Sequence, residues 1–206
     1  MTSLPFPPVL LITDRHQADG DLVSVVAACV EAGCRWVSLR EKDLPRDQQS
    51  ALLMRLRPVL AGVGGVLTIH GDLALGSLCD GVHLSDGADI GTARAILGPD
   101  AFIGASCHDR AGVAAAAREG ADYATLSPIF PTPSKPGYGP ILGPASLTGL
   151  PLPTLALGGV GAANLSTCIH AGAAGVAVMG GPMRDPSSIP GLLSALAATR
   201  GRKAGI

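Results

Sequence analysis

Residues 154–183 read TLALGGVGAANLSTCIHAGAAGVAVMGGPM, and this stretch decides the fold. A short apolar run at 154–157 ends at the glycine pair Gly158 and Gly159. A helical pattern follows at 164–171, and a second apolar run at 175–178 ends at Gly180 and Gly181. Two short apolar runs separated by a helix-length segment read as a parallel βαβ unit, because parallel strands need a long crossover between them. The helix-to-strand junction HAGAAGVAV at 170–178 has counterparts in AGC at 32–34 and EGADY at 119–123. Each reads as a helix ended by glycine and followed by strand entry.

Working outward from there, strands are predicted at 9–13, 36–39, 66–69, 81–84, 102–106 and 123–126, before those at 154–157 and 175–178. Helices are predicted at 22–32, 45–60, a short one from 72, then 90–97, 111–118, 164–171 and 187–199. A Pro- and Gly-rich loop spans 127–143. Eight such units in one domain predict a single (β/α)8 TIM barrel over residues 1–206, since closure leaves no strand edge exposed. An open doubly wound sheet is the rival, but no G-x-G-x-x-G follows the first strand. Residues 200–206 are expected to fray.

Composition agrees with this architecture. Hydrophobic residues make up 47% of the 206-residue chain and aromatics only 3%, so small and β-branched residues do the packing. The net charge is -1, and no basic cluster precedes Arg200, Arg202 and Lys203. A nucleic-acid partner is not expected, because such a surface needs a basic stripe. The five cysteines (Cys29, Cys34, Cys79, Cys107 and Cys168) form no C-x-x-C pair, which argues for a reducing cytoplasm. Neither a signal-peptide pattern at 1–8 nor an apolar run near the ~18 residues of a membrane span is seen. Cytoplasmic localisation, with no membrane partner, is therefore expected.

In such barrels the reacting groups stand at the carboxyl ends of the strands. Gly158, Gly159, Gly180 and Gly181 follow strands seven and eight, where backbone N–H groups commonly hold phosphate. The alternative is that these glycines only shape tight turns. In SLREKD, alternation puts Arg40 on the same face as Ser38, pointing into the mouth and calling for an anion. Lys42 is its neighbour, and Glu41 is left without an assigned face. The loop PIFPTPSKPGYG at 128–139 carries Thr132, Ser134 and Lys135 and reads as a lid with an anion-binding lysine. His108 follows strand five and suits proton transfer near neutral pH. Cys107 faces the other way, so no Cys–His pair is expected. His70, His83 and His108 lack metal-ligand spacing, and His16 and His170 are given no role.

The motifs LLITDR, VSLREKD, DLALGSLCDGVHL, IGASCHD, EGADYATLSPIFPTPSKPG, LALGGV and AGAAGVAVM occur in this order across residues 10–183. In combination they resemble the thiamin phosphate synthase superfamily, which includes the thiazole tautomerases. The resemblance implies a barrel acting on a phosphorylated thiazole in thiamin biosynthesis. It implies diphosphate binding by Arg40, Lys42 and Lys135, loop contacts from Thr132 and Ser134, a substrate contact from Ser106, and thiazole phosphate binding at Gly159 and Gly180. Four positions depart from the synthase pattern. Ser38 replaces a Gln, Thr68 and Ile69 replace an Asn–Asp pair, and Ala88 replaces a second magnesium aspartate, with Asp86 and Asp89 nearby. Mg²⁺ requires hard oxygen ligands.

These departures favour a thiazole tautomerase-like isomerase that needs no cofactor. In it His108 moves the proton, and Arg40 or Lys135 holds a substrate carboxylate. The alternative is thiamin phosphate synthase, a transferase that recruits Asp86 or Asp89 to Mg²⁺. A third reading is a non-catalytic regulator that binds a thiamin precursor. The sequence leaves open whether the chain is a monomer or a homo-oligomer.

Overall fold

The computed structural model describes residues 3–132, 137 and 139–203. Eight parallel strands close a barrel in sequential order. They are β1 (Val9–Ile12), β2 (Trp36–Leu39), β3 (Val66–His70), β4 (Gly81–Leu84), β5 (Phe102–Cys107), β6 (Tyr123–Leu126), β7 (Thr154–Ala156) and β8 (Gly175–Val178). Around it lie α1 (Leu22–Glu31), α2 (Arg46–Ala61), α3 (Leu73–Gly76), α4 (Ile90–Leu97), α5 (Arg110–Glu119), α6 (Leu165–Ala171), α7 (Gly180–Arg184) and α8 (Ser188–Lys203). A single 3-10 turn, Pro144–Leu147, precedes β7.

The helices start and stop where local chemistry requires. Asp21, Asp72, Asp89 and Asp109 each accept a backbone N–H from the first turn of α1, α3, α4 and α5, which satisfies a donor otherwise left over at a helix start. Gly33, Gly120 and Gly172 take positive φ at the junctions predicted for them. The last helix runs four residues past its predicted end at 199 and reaches Lys203. No helix among the described residues is long and apolar enough to cross a membrane.

Alternation along each strand divides the core in two. One face of Val9, Leu11, Val37, Leu39, Leu67 and Ile69 joins the helices in the larger cluster, together with Cys107. The other face fills the barrel with Leu10, Ile12, Trp36, Phe102, Tyr123, Leu155 and Ala177. This inner plug makes one end solid, so only the carboxyl ends of the strands remain for a site.

Candidate active site

Above the plug, the inner face turns polar from β2 to β6. The backbone register sets Ser38 against Thr68, His70 against His83, and Ser106 against Thr125. His83 is 2% exposed. Its Nδ1 lies 2.9 Å from the Tyr123 hydroxyl, and its Nε2 lies 3.0 Å from Ser106 Oγ and 3.4 Å from Thr125 Oγ1. Gly104 on β5 makes this possible, since a Cβ there would come within 2.1 Å of the Tyr123 ring. Burial pushes the His83 imidazole down to about 3, and the nearby charges of Lys42 and Arg40 add to the shift. His70 lies 5.5 Å away ring to ring, with its Nε2 3.2 Å from Ser85 Oγ. It is depressed by burial first, then by His83, Lys42 and Arg40. Two imidazoles are thus held neutral at neutral pH. Ser38 Oγ and Trp36 Nε1 are buried without a hydrogen-bond partner among the described residues.

Arg40 arrives at this wall from β2, positioned by a latch on the opposite face. Thr13 Oγ1 accepts the Arg40 backbone N–H at 2.8 Å and donates to Glu41 Oε1 at 2.7 Å. Glu41 is 2% exposed, and it also accepts the Arg15 backbone N–H and its guanidinium. Arg15 in turn grips Asp43 with both terminal nitrogens. Glu41 therefore faces away from the mouth. The Arg40 guanidinium has no hydrogen bond or ion pair among the described residues, although its charge reaches both histidines. Lys42 is exposed beside it.

The glycine pairs have two different roles in the backbone. Gly158 (φ +92°) and Gly159 (φ +63°) admit the loop after β6, because their Cβ atoms would approach Pro128 Cα to 2.9 Å and the Pro131 carbonyl to 2.4 Å. Phe130 N donates to Gly158 O at 3.0 Å, and Leu142 N donates to Pro128 O at 2.9 Å, so both arms of the loop are tied down at its root. Close approach of this loop accounts for the pair as fully as phosphate binding would. His108 joins the same root, with Nδ1 2.8 Å from the Ser127 carbonyl, which assigns the proton to Nδ1. Thr132 is half-buried at the loop edge. Ser134 and Lys135 lie outside the described residues.

Gly180 and Gly181 open α7, a helix the sequence reading missed. Pro182 in its first turn was the available signal. A short extra helix after strand eight, its N-terminus at the mouth, matches a recurrent phosphate-binding device of this fold. Gly180 leaves room for Gln17, whose Oε1 would lie 2.2 Å from a Cβ there. Gln17 links Asp14 Oδ2 to Arg184. Neither Asp14, Gln17 nor Arg184 was singled out from the sequence.

The family pattern implies a magnesium ion, and the donor set here does not fit one. Asp89 is not available: its two oxygens hold the backbone N–H and hydroxyl of Thr92 at 2.7 Å, at the start of α4. Asp86 stands beside the start of α5, with Oδ1 3.8 Å from a Cβ built on Gly112. Thr68 lies inside the barrel, and Ile69 lies in the outer core. Among the described residues no three His, Cys, Asp or Glu side chains are grouped to hold a metal ion. The remaining positions carry none of these residue types. Of the two acids offered as alternative magnesium ligands, Asp89 caps α4 and Asp86 stands beside the start of α5.

Fold and mouth together define a closed (β/α)8 barrel with a cationic, glycine-looped open end. The chain belongs to the thiamine monophosphate synthase family, whose model matches residues 9–181. A thiamine-phosphate synthase of Roseiflexus castenholzii is 36% identical over 213 residues, covering 96% of this chain and 92% of that protein. A Geobacter sulfurreducens protein bearing the same name in provisional form is 44% identical over 184 residues, covering 85% and 86%. A solved thiamine phosphate pyrophosphorylase from Pyrococcus furiosus superposes with a TM-score of 0.83 at 23% identity, over 93% of this chain and 96% of that one, which supports the fold.

These relatives overturn the isomerase assignment, because the names they carry are those of synthases and not of a tautomerase branch. The physical reason lies in what the missing carboxylates report. They describe how a leaving anion is neutralised, not which bond is made, and cationic side chains at the same mouth can carry that charge.

Proposed function

We propose that the chain is a thiamine-phosphate synthase, joining a pyrimidine diphosphate to a thiazole phosphate and releasing diphosphate. The thiazole ring nitrogen donates its electron pair to the exocyclic methylene carbon of the pyrimidine. A C–N bond forms, the C–O bond to diphosphate breaks, and that electron pair leaves with the diphosphate. No proton transfer is needed to balance the step, so catalysis rests on aligning two substrates and neutralising the leaving group.

The observation that carries this reading is the Arg40 guanidinium, half-buried at the mouth without a counter-charge among the described residues. A buried-edge arginine without a partner suits a bidentate phosphate ligand. In this assignment Arg40 and Lys42 hold the diphosphate, and Ser106, anchored on His83, contacts the pyrimidine. Backbone N–H groups at Gly158, Gly159, Gly180 and Gly181 hold the thiazole phosphate. Thr132 belongs to the loop that covers the pair, and His108 ties that loop to β5. The decisive assay supplies both phosphorylated substrates and measures thiamine phosphate by fluorescence after oxidation. Product formation that collapses in Arg40→Ala supports the assignment, and no product from the intact, folded chain rejects it.

A further inference from the structure

We infer that this chain neutralises its diphosphate with its own cationic side chains in place of a divalent metal ion. The inference rests on the synthase reading and concerns the wall built by the ends of β2, β3 and β4. At that wall stand Arg40, Lys42, His70, His83 and Ser85, and among the described residues no carboxylate pairs with Arg40, His70, His83 or Ser85. Each acid that the sequence brings near is committed elsewhere. Glu41 points to the outer face and is held by Thr13 and Arg15. Asp72 caps α3 and pairs with Arg46. Asp89 caps α4, and Asp86 stands beside Gly112 at the start of α5. Asp14, on the far side of the mouth, holds Gln17.

A magnesium ion keeps most of its waters and needs one or two carboxylates to hold it beside substrate phosphates. At this wall it would meet two cations within reach of both histidines, and the acids nearby in sequence are committed elsewhere. The same geometry favours a polyanion. Arg40 offers a planar fork with no competing partner among the described residues, Lys42 adds a second positive charge, and the neutral His70 and His83 add no repulsion to substrate donors. The departing oxygen pair is then met by N–H donors fixed on β2, held in register by the Thr13–Glu41 latch.

Calorimetric titration of the intact chain with inorganic diphosphate tests this without relying on turnover. The dissociation constant in EDTA is expected to agree with that in excess Mg²⁺ to within about fivefold, because charge-assisted contacts to side chains supply the affinity. In EDTA, Arg40→Gln is expected to weaken binding at least about tenfold, and Lys42→Gln, at an exposed position, at least about threefold. Binding weaker by about fivefold or more without Mg²⁺, or no binding in either condition, overturns the inference. Thiamine phosphate formation is measured in parallel. Product at equal rates in EDTA supports the inference, and product only with Mg²⁺ overturns it while the synthase reading stands. No product in either buffer removes the synthase reading, and the calorimetry then decides the metal question alone.

Discussion

The two halves of the barrel interior are built from different chemistry. From β2 to β6 the inner face carries Ser38, Arg40, Thr68, His70, His83, Ser106 and Thr125 above the aromatic plug. From β7 through β8 to β1 it carries Leu155, Leu157, Ala177, Met179, Leu10 and Ile12. At the centre of the first half, His83, Tyr123, Ser106 and Thr125 are joined by hydrogen bonds to one another, a network in which every lost partner is costly. The second half is apolar along its strands, and at its rim Gln17 links Asp14 to Arg184 beside the glycines that follow β7 and β8. One half therefore presents side-chain charge, and the other presents backbone dipoles against an apolar wall. In the proposed reaction, two substrates that each carry phosphate would be told apart by which half they meet.

The largest effect expected from breaking this contrast is at Arg40. Arg40→Ala should lower kcat/KM for thiamine phosphate formation about 100- to 1,000-fold, the scale set by removing one electrostatic donor to a developing anion. Its thermal midpoint should barely move, since the guanidinium holds nothing else in the fold among the described residues. A loss smaller than about tenfold would remove the side-chain half from diphosphate recognition.

Next in size is a pair of glycine substitutions, one on each half. Gly104→Ala drives a Cβ to 2.1 Å from Tyr123, which is boxed in by Trp36 at 4.6 Å and Phe102 at 4.9 Å between centroids. Overpacking of that kind costs about 1–3 kcal/mol. Gly181→Ala meets nothing within 4 Å, and its stability should stay within about 0.5 kcal/mol of the parent. Urea unfolding of both variants checks the contrast, and equal losses would contradict the packing argument.

Proton linkage separates the halves more gently. His83 titrates near 3 when folded, because of burial first and then the Lys42 and Arg40 charges, whereas an unfolded histidine titrates at about 6.5. Between these values the unfolded chain binds more protons than the folded one. Stability is therefore fully present above about pH 6.5 and declines as the pH falls toward 3, by up to about 1.4 kcal/mol per pH unit for this one group. His70 shifts in the same direction. Unfolding free energies measured from pH 4.5 to 7.5 should show a shallower slope in His83→Gln. Identical slopes in parent and variant would mean that the imidazole is already solvated.

How much of this was legible in the residues depends on how local the signal was. β2, β4, β6, β8 and α4 fall at their predicted limits, because each is an apolar run closed by a glycine, an acid or a cap within a few residues. The inward direction of Arg40 followed from alternation with Ser38. His83 lies on the same face as Gly81 and Ser85, so alternation also places it inside, yet its value as an anchor for Ser106 needed Tyr123, forty residues away. α7 spans only five residues, too short for a helical period to show. Gly159 was read for its backbone N–H, whereas its contact with Pro131 depends on how the loop after β6 folds back. The reaction is not legible from the departures at Ser38, Thr68, Ile69 and Ala88, because missing metal ligands bear on how a leaving group is neutralised and not on which bond is made.

The smallest expected effect bears on those missing ligands. Asp89 looks like a displaced magnesium ligand when the acids after β4 are counted, but D-x-x-T before an apolar turn is also a helix start, and the structure uses it that way. Asp89→Ala should cost about 1 kcal/mol, the usual loss for an aspartate cap. Thiamine phosphate formation should stay within about twofold of the parent, because the carboxylate never enters the mouth; a true metal ligand would lower it far more, by at least about 100-fold, since the leaving diphosphate would lose its counter-charge. Stability and turnover thus move apart for a cap and together for a ligand. Measuring both on one variant places Asp89 on the outer, structural side of the barrel or returns it to the chemistry.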